Sequence, residues 1–144
     1  MGKTNPECPN TGIGIFGLER NFESIYPAEM PPRHIFHICP ESDWNDAVDD
    51  GFYYGGELDR RDGFIHFSGP EQVRETAERY LAGATGLVLL KIEAERLGDA
   101  LRWEKSRNDT AFPHLYGPLP VTDVERVTGL PLGSDGLHVF PELD

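Results

Sequence analysis

The chain has 144 residues, of which 38% are hydrophobic, so it can bury one core but not two. Its sixteen Gly and twelve Pro predict many turns and short elements, which excludes a coiled coil, a collagen-like chain and a long helical bundle. The formal net charge of −12 repels nucleic-acid phosphates and anionic lipid, so neither a nucleic acid nor a membrane is an expected partner.

The N-terminal part of the chain differs in composition from the rest. Residues 1–33 are predicted to be a Pro-rich extension, partly disordered or strapped over the body, in which only Ile13–Phe16 reads as a strand. Residues 34–144 are predicted to form a single domain. There is no apolar leader and no long apolar stretch, and the two cysteines are too few for a disulfide scaffold. We therefore expect a cytoplasmic monomer or weak homodimer.

The domain is predicted to begin with a strand and a short helix. Ile35–Cys39 is an apolar run bounded by prolines, which is typical of a strand. Ser42 can cap a helix that buries Trp44, Ala47 and Val48 and ends at Gly51. The aromatic, glycine-rich and charged stretch 52–63 is expected to be an exposed loop.

A second strand and helix follow. Phe64–Phe67 is predicted to be a strand, and Ser68 with Glu71 has the spacing of a capping box. The next helix is expected to bury one stripe of residues and to stop at Gly83. The members of that stripe are Val73, Ala77, Tyr80 and Leu81.

Strands dominate the remainder of the chain. Leu87–Ile92 is apolar on both faces, as in a central strand, and Leu101–Glu104 alternates as a further strand does. Three more segments are expected: a stiff aromatic stretch at 112–118, a strand or short helix at 121–127, and a terminal strand at 137–140. Because strands outnumber short helices, the predicted fold class is α+β.

Three histidines have unusual surroundings. His37 and His66 lie within short apolar strands, and His114 follows Pro113 in the aromatic stretch. Burying an imidazole without a partner costs about 1–3 kcal/mol, so each ring needs a hydrogen-bond partner or a ligand. A structural role explains any one of them, whereas three together favour a shared cleft. Their separations of 29 and 48 residues match no zinc motif, which leaves only a metal site assembled from distant strands.

Glu104 is the carboxylate with the most suggestive context. It follows Trp103, and an aromatic wall can raise a carboxylate pKa or shape a sugar pocket. The alternative is an edge glutamate paired with Arg102 or Lys105. These two cations and Arg107 form either a solvated loop or a subsite for an anionic ligand. Tyrosines such as Tyr116 could stack on a flat ring, or simply belong to the core or rim.

Several motifs taken together resemble the family known as domain of unknown function 952, over about residues 34–127. The resemblance is carried by Ile35–Ile38, Asp62–Ser68, the helix with Thr76 and Ala77, Leu87–Ile92, Leu101–Glu104 and Phe112–Leu119. That family is similar in fold to the ADP-ribosyltransferases, which bind NAD in the cleft of a split antiparallel sheet carrying a few short helices. It is also distantly similar to RNA 2′-phosphotransferases, although the charge of −12 argues against a tRNA substrate.

The resemblance implies roles for particular residues. His37 would hold a ribose of NAD, and His66 with Ser68 would line the nicotinamide side. The carboxylate of NAD-cleaving relatives would correspond to Glu104. The stretch Glu93–Glu95 is a second candidate for that carboxylate, although acidic residues at a helix start explain it equally well.

The sequence thus predicts a cleft that binds NAD or a related nucleotide metabolite, as an ADP-ribosyl transferase or NAD glycohydrolase and without a metal. The expected catalytic residues are Glu104, His66 and His114, and the expected binding residues are His37, Ser68, Trp103, Tyr116 and Arg107. Two alternatives stay open: a non-catalytic module that binds a small molecule or a peptide, and a metal-assisted hydrolase that uses the three histidines.

Overall fold

A computed structural model describes residues 32–105 and 110–143. The predicted α+β class is confirmed, with antiparallel sheets and a few short helices. In chain order the elements are β1 (His34–Pro40), α1 (Glu41–Asp50), β2 (Phe52–Tyr53), α2 (Glu57–Asp62), β3 (Ile65–His66), α3 (Val73–Tyr80), β4 (Leu87–Glu93), a 3₁₀ segment (Ala94–Ala100), β5 (Leu101–Lys105), β6 (Ala111–Leu115), β7 (Leu119–Pro120), a 3₁₀ turn (Val121–Asp123) and β8 (Val124–Gly129). The predicted strand at Ile13–Phe16 lies outside the described residues.

Two three-stranded sheets carry the fold. One has the order β1-β4-β8 and the other β3-β6-β5, while β2 and β7 form a separate two-stranded pair. The two larger sheets are joined where Phe36 and Ser68 exchange backbone hydrogen bonds of 2.8 Å in both directions. The site residues described below all belong to one compact unit, Pro32–Glu104 with Phe112–Asp144.

The core lies on both faces of the first sheet. Leu90 and Ile92 in β4 are fully buried, as expected for a central strand. In β1 the period-2 alternation sends Ile35 and Cys39 into one apolar cluster and Phe36 into the other. Because His37 shares the face of Ile35 and Cys39, it is buried as well.

The first helix begins earlier than predicted. α1 starts directly after Pro40, so Ser42 lies inside the helix and is exposed rather than acting as its cap. Ala47 is buried and Trp44 is half-buried, but Val48 is 52% exposed because the apolar stripe of this strongly acidic helix is narrow. Gly51 ends the helix in the left-handed conformation, as predicted, with a φ of 102°.

The predicted exposed loop at 52–63 is wrong. This stretch contains β2 and α2, and it buries Tyr53 and Asp59. β2 is held by pairing with β7, which lies more than sixty residues later in the chain. Elements of two and six residues are too short for hydrophobic periodicity to reveal.

The predicted capping box is also wrong. α3 begins at Val73, with Gln72 at the N-cap position. Ser68 is held in the bridge to Phe36 instead, and its hydroxyl lies 3.1 Å from that of Thr76. Val73 and Ala77 are buried as predicted, whereas Tyr80, in the last turn, is 63% exposed.

The later elements agree better with the sequence. The strands predicted at Leu87–Ile92 and Leu101–Glu104 are confirmed. The stiff aromatic stretch begins as strand β6, in which the carbonyl of Pro113 accepts the N–H of Phe67 at 2.9 Å. Residues 121–127 hold both a 3₁₀ turn and the start of β8. The predicted strand at 137–140 is reduced to one bridge between Leu132 and His138.

None of the described helices is long and apolar enough to cross a lipid bilayer.

Candidate functional site

The pairing of β3 with β6 brings two of the predicted histidines together. The antiparallel register places His66 directly opposite His114. Their rings are 5.5 Å apart between centroids, in an edge-on arrangement. Directly opposed residues of an antiparallel pair share one face of the sheet, so both imidazoles project to the same side. Each ring is held by its own carboxylate.

The first carboxylate–imidazole pair joins β5 to β6. His114 Nδ1 lies 2.8 Å from Glu104 Oε1, and the hydroxyl of Tyr116 donates to the same oxygen at 2.8 Å. Because an ionised carboxylate only accepts hydrogen bonds, the His114 proton sits on Nδ1. Burial lowers the pKa of His114, and this effect outweighs the opposing attraction of Glu104. His114 is therefore a neutral imidazole near pH 7.

Only one oxygen of Glu104 accepts hydrogen bonds from the described residues. Its two hydrogen bonds both end on Oε1, and within residues 32–105 and 110–143 nothing donates to Oε2. The side chain is 37% exposed. The guanidinium of Arg102 lies over the ring of Tyr116, 4.8 Å from its centre. Glu104 is thus oriented by neutral donors and is not neutralised by Arg102.

The second pair joins α2 to β3. Asp59 Oδ1 accepts the backbone N–H of His66 at 3.0 Å and lies 2.5 Å from His66 Nδ1. His66 Nε2 in turn lies 3.1 Å from Asp62 Oδ2. With a carboxylate at each ring nitrogen, both nitrogens act as donors and the ring is an imidazolium. The hydrogen bond to Asp59 raises the pKa of His66 accordingly.

Asp59 is buried, and the chain around it is built to hold its charge. Burial alone would raise its pKa, but hydrogen bonds from His66 and from the N–H of Gly56, which lies 2.7 Å from Oδ2, lower it below the ordinary value. Gly55 has a φ of +92°, and a Cβ added there would lie only 2.6 Å from Cβ of Asp59. Glycine is therefore required at position 55 for both conformation and space.

His37 lies behind this face. It is buried, its Nδ1 lies 2.6 Å from the carbonyl oxygen of His66, and its Nε2 lies 2.7 Å from the hydroxyl of Tyr53. A carbonyl only accepts, so Nδ1 donates and Nε2 accepts from Tyr53. Burial lowers the pKa of His37, in agreement with a neutral ring. Both nitrogens are engaged inside the protein, and the ring supports β3.

An aromatic cluster surrounds the two histidines. Phe64 stacks on His114 with centroids 4.1 Å apart and an angle of 23° between the planes. It also contacts His66 at 4.6 Å and Tyr116 at 5.2 Å between centroids. Phe64 is half-buried, whereas Tyr116 is exposed. Two of these rings, His114 and Tyr116, also bond the Glu104 carboxylate, so the cluster provides apolar surface beside it.

The other residues predicted for the site lie elsewhere. Ser68 is buried in the bridge between the sheets, and Trp103 packs against the core, because neighbours in a strand point to opposite faces. Glu93 forms an ion pair with Arg33, with a distance of 2.8 Å. Arg107 lies outside the described residues. Within the described part of the chain, no three or more His, Cys, Asp or Glu side chains are grouped so that they could hold a metal ion. The three histidines of the metal-hydrolase alternative therefore do not form a metal-binding group.

Fold and site together define a small α+β protein with two facing carboxylate–imidazole pairs and an aromatic cluster between them. Residues 38–127 match the family described as Protein of unknown function (DUF952), and the chain belongs to this family. The resemblance seen in the sequence is confirmed in this respect. The matched range includes Asp59, His66, Glu104 and His114.

Solved structures of one bacterial protein are similar to this chain. The crystal structure of protein CC0527 from Caulobacter crescentus is 44% identical, with a TM-score of 0.72 over 74% of this chain and 93% of that one. The solution NMR structure of the same protein is 45% identical, with a TM-score of 0.67 over 73% of this chain and 90% of that one. No curated protein matches the chain.

Proposed function

We propose that the face formed by Phe64, His66, Glu104, His114 and Tyr116 binds NAD or a related nucleotide. On this face Glu104 promotes cleavage of the bond between nicotinamide and ribose, so the protein acts as an NAD glycohydrolase or an ADP-ribosyl transferase. One observation carries the proposal: Glu104 is fixed by two hydrogen bonds to Oε1 while Oε2 has no donor among the described residues.

The chemistry of this bond needs such a carboxylate. The C1′–N bond breaks and nicotinamide leaves as a neutral molecule with the bonding electrons, so positive charge develops on the ribose ring. A fixed carboxylate stabilises that charge more in the transition state than in the bound substrate. The oxygen of water, or of an acceptor hydroxyl, then bonds to C1′ and gives up its proton to the solvent. His114 and Tyr116 orient Glu104 without cancelling its charge.

The surroundings of Glu104 fit the other parts of a dinucleotide. Exposed Tyr116 and half-buried Phe64 offer apolar surface to a flat heterocycle. Arg102, which lies over Tyr116, supplies a cation for a diphosphate on an otherwise acidic protein.

The family resemblance supports the same proposal. Two three-stranded antiparallel sheets joined at one bridge suit the split sheet of the ADP-ribosyltransferases. The resemblance gives the ribose contact to His37, but its ring nitrogens are bonded to His66 and Tyr53. In our proposal His37 therefore supports β3 from behind, and the ribose lies against Glu104.

The test is NMR of purified protein incubated with NAD over hours. We expect free nicotinamide to form faster than in a heat-denatured control. Glu104→Gln should slow that release by about 100-fold, the order expected for loss of one transition-state contact, with an unchanged amide spectrum elsewhere. Glu78→Gln, on the exposed side of α3, is the matched control and should keep the wild-type rate.

Each other outcome has a defined meaning. An undiminished rate in Glu104→Gln removes Glu104 from the chemistry. Broadened NAD signals without nicotinamide identify a non-catalytic binding module. Sharp NAD signals at all protein concentrations refute NAD as the ligand.

A further inference from the structure

Asp59 is a charged group that the proposed chemistry does not use directly, yet it is among the best-anchored side chains described. It is 6% exposed, and both of its oxygens accept hydrogen bonds. Two of its donors come from one residue, since the backbone N–H and the ring of His66 both reach Oδ1. Such paired contacts fix a ring in position as well as in charge.

We propose that Asp59 is a positioning residue for the Glu104 site: it fixes His66 as a cation opposite His114 and thereby preserves the negative charge of Glu104. The inference rests on the proposed function of Glu104. It adds Asp59 as the residue that keeps His66 charged and His114 neutral beside Glu104.

Asp59 affects Glu104 through three successive contacts: Asp59 with His66, His66 with His114, and His114 with Glu104. Asp59 holds His66 as an imidazolium, and His66 faces His114 with ring centroids 5.5 Å apart. A nearby positive charge opposes protonation of His114, and the pKa of His114 is lowered by burial and by this repulsion. A neutral His114 orients Glu104 without forming an ion pair with it. Loss of the charge on His66 would allow His114 to protonate, and Glu104 would then be neutralised by its own neighbour.

The charged and titratable groups that face His66 come from three elements. Asp59 and Asp62 belong to α2, His114 belongs to β6 and His37 belongs to β1. Glu104 on β5 acts beyond His114. The exposed Asp62 contributes less than Asp59, because solvent screens it and Arg61 lies 3.1 Å away.

The experiment is an NMR titration of the His66 and His114 rings in the full-length protein. In the wild type we expect the pKa of His66 to lie above that of His114. In Asp59→Asn the pKa of His66 should fall by about one unit or more, while that of His114 rises. The acid limb of nicotinamide release, where His114 protonates, should move to higher pH by as much as the pKa of His114 rises. Asp62→Asn should lower the pKa of His66 by less than Asp59→Asn does, and it should not raise the pKa of His114, because Asp62 itself attracts a proton to that ring.

Tyr53→Phe controls for a structural role alone. It removes a buried hydroxyl from the same region but leaves Asp59 and both rings in place, so neither of these two pKa values should move. Opposite movements of the two pKa values in Asp59→Asn, with both values unmoved in Tyr53→Phe, support the proposal. Loosened packing would also bring both values toward that of a free histidine, so the comparison with Tyr53→Phe separates the two causes.

Three results would overturn the proposal. The first is a wild-type pKa of His66 at or below that of His114, which needs no variant. The second is a pair of unmoved pKa values in folded Asp59→Asn, and the third is the same shifts in Tyr53→Phe. If the wild type releases no nicotinamide, the proposed function fails, and the titration alone decides whether Asp59 holds the charge of His66.

Discussion

The two carboxylate–imidazole pairs use the same residue types with opposite burial. In the Asp59–His66 pair the carboxylate side chain is 8% exposed and the imidazole 32%. In the Glu104–His114 pair the imidazole is 6% exposed and the carboxylate 37%. In each pair the buried member fixes the geometry of its partner. The exposed partners differ: His66 is bonded at both ring nitrogens, whereas one oxygen of Glu104 has no donor among the described residues.

Burial also separates the charge states of the two rings. A buried carboxylate must be satisfied by several donors, and Asp59 obtains them from Gly56 and from two groups of His66. His66 therefore stays protonated. A buried imidazole beside one half-exposed carboxylate gains less from charge than it loses in hydration, so His114 stays neutral. A cation and a neutral ring then face each other across β3 and β6.

The largest expected effect comes from breaking the support of Asp59. Gly55→Ala places a Cβ against Asp59 at a φ that alanine disfavours, and should lower the free energy of unfolding by about 2–4 kcal/mol. Gly56→Ala is the matched control, since a Cβ there meets only Asp59 Oδ2 at 3.8 Å, and should cost under about 1 kcal/mol. Urea unfolding at pH 7 measures both. Equal losses in the two variants would show that Asp59 is not tightly held.

A smaller effect comes from removing the hydroxyl of a buried tyrosine, Tyr53, or of an exposed one, Tyr116. Tyr53→Phe leaves Nε2 of buried His37 without its donor and should cost about 1–2 kcal/mol of unfolding free energy. Tyr116→Phe removes an exposed hydroxyl from Glu104, so stability should stay the same while nicotinamide release slows. Thermal unfolding and the NAD assay separate the two. If only Tyr116→Phe lost stability, Tyr116 and not Tyr53 would be the structural tyrosine, contrary to our assignment.

The sequence predicted one pair much better than the other. His66 and His114 lie in short apolar strands, where a polar side chain is conspicuous, and Glu104 follows Trp103 in an alternating strand. Their meeting depends on the β3–β6 register, which no local pattern specifies. Tyr116 was found through its aromatic context. The opposite direction of Trp103 follows from strand alternation, and that rule could have excluded it from the face of Glu104.

Asp59 was missed for a physical reason. Its helix has six residues and an almost wholly charged sequence, so the segment resembles an exposed loop. The available indication was the pair Gly55–Gly56 followed by an acidic residue at the third helical position, where a carboxylate can accept the N-cap N–H. What makes Asp59 important is His66, seven residues further on, and that contact requires the chain to turn back at Gly63, where φ is +88°. Only the folded chain shows it.

The smallest expected effect, and the sharpest test of the comparison, is the pH dependence of stability. The folded-state pKa of His66 is raised. The stability that this ring contributes to the fold is therefore complete below about pH 6.5 and is lost as the pH rises through the folded-state pKa. The folded-state pKa of His114 is lowered. The stability that this ring contributes to the fold is therefore present above about pH 6.5 and is lost as the pH falls through the folded-state pKa. His66→Gln should therefore cost more unfolding free energy at about pH 5.5 than at about pH 8.5, and His114→Gln the reverse. Urea unfolding of both variants and the wild type at the two pH values checks this. If both costs change with pH in the same direction, the two rings do not hold opposite charge states.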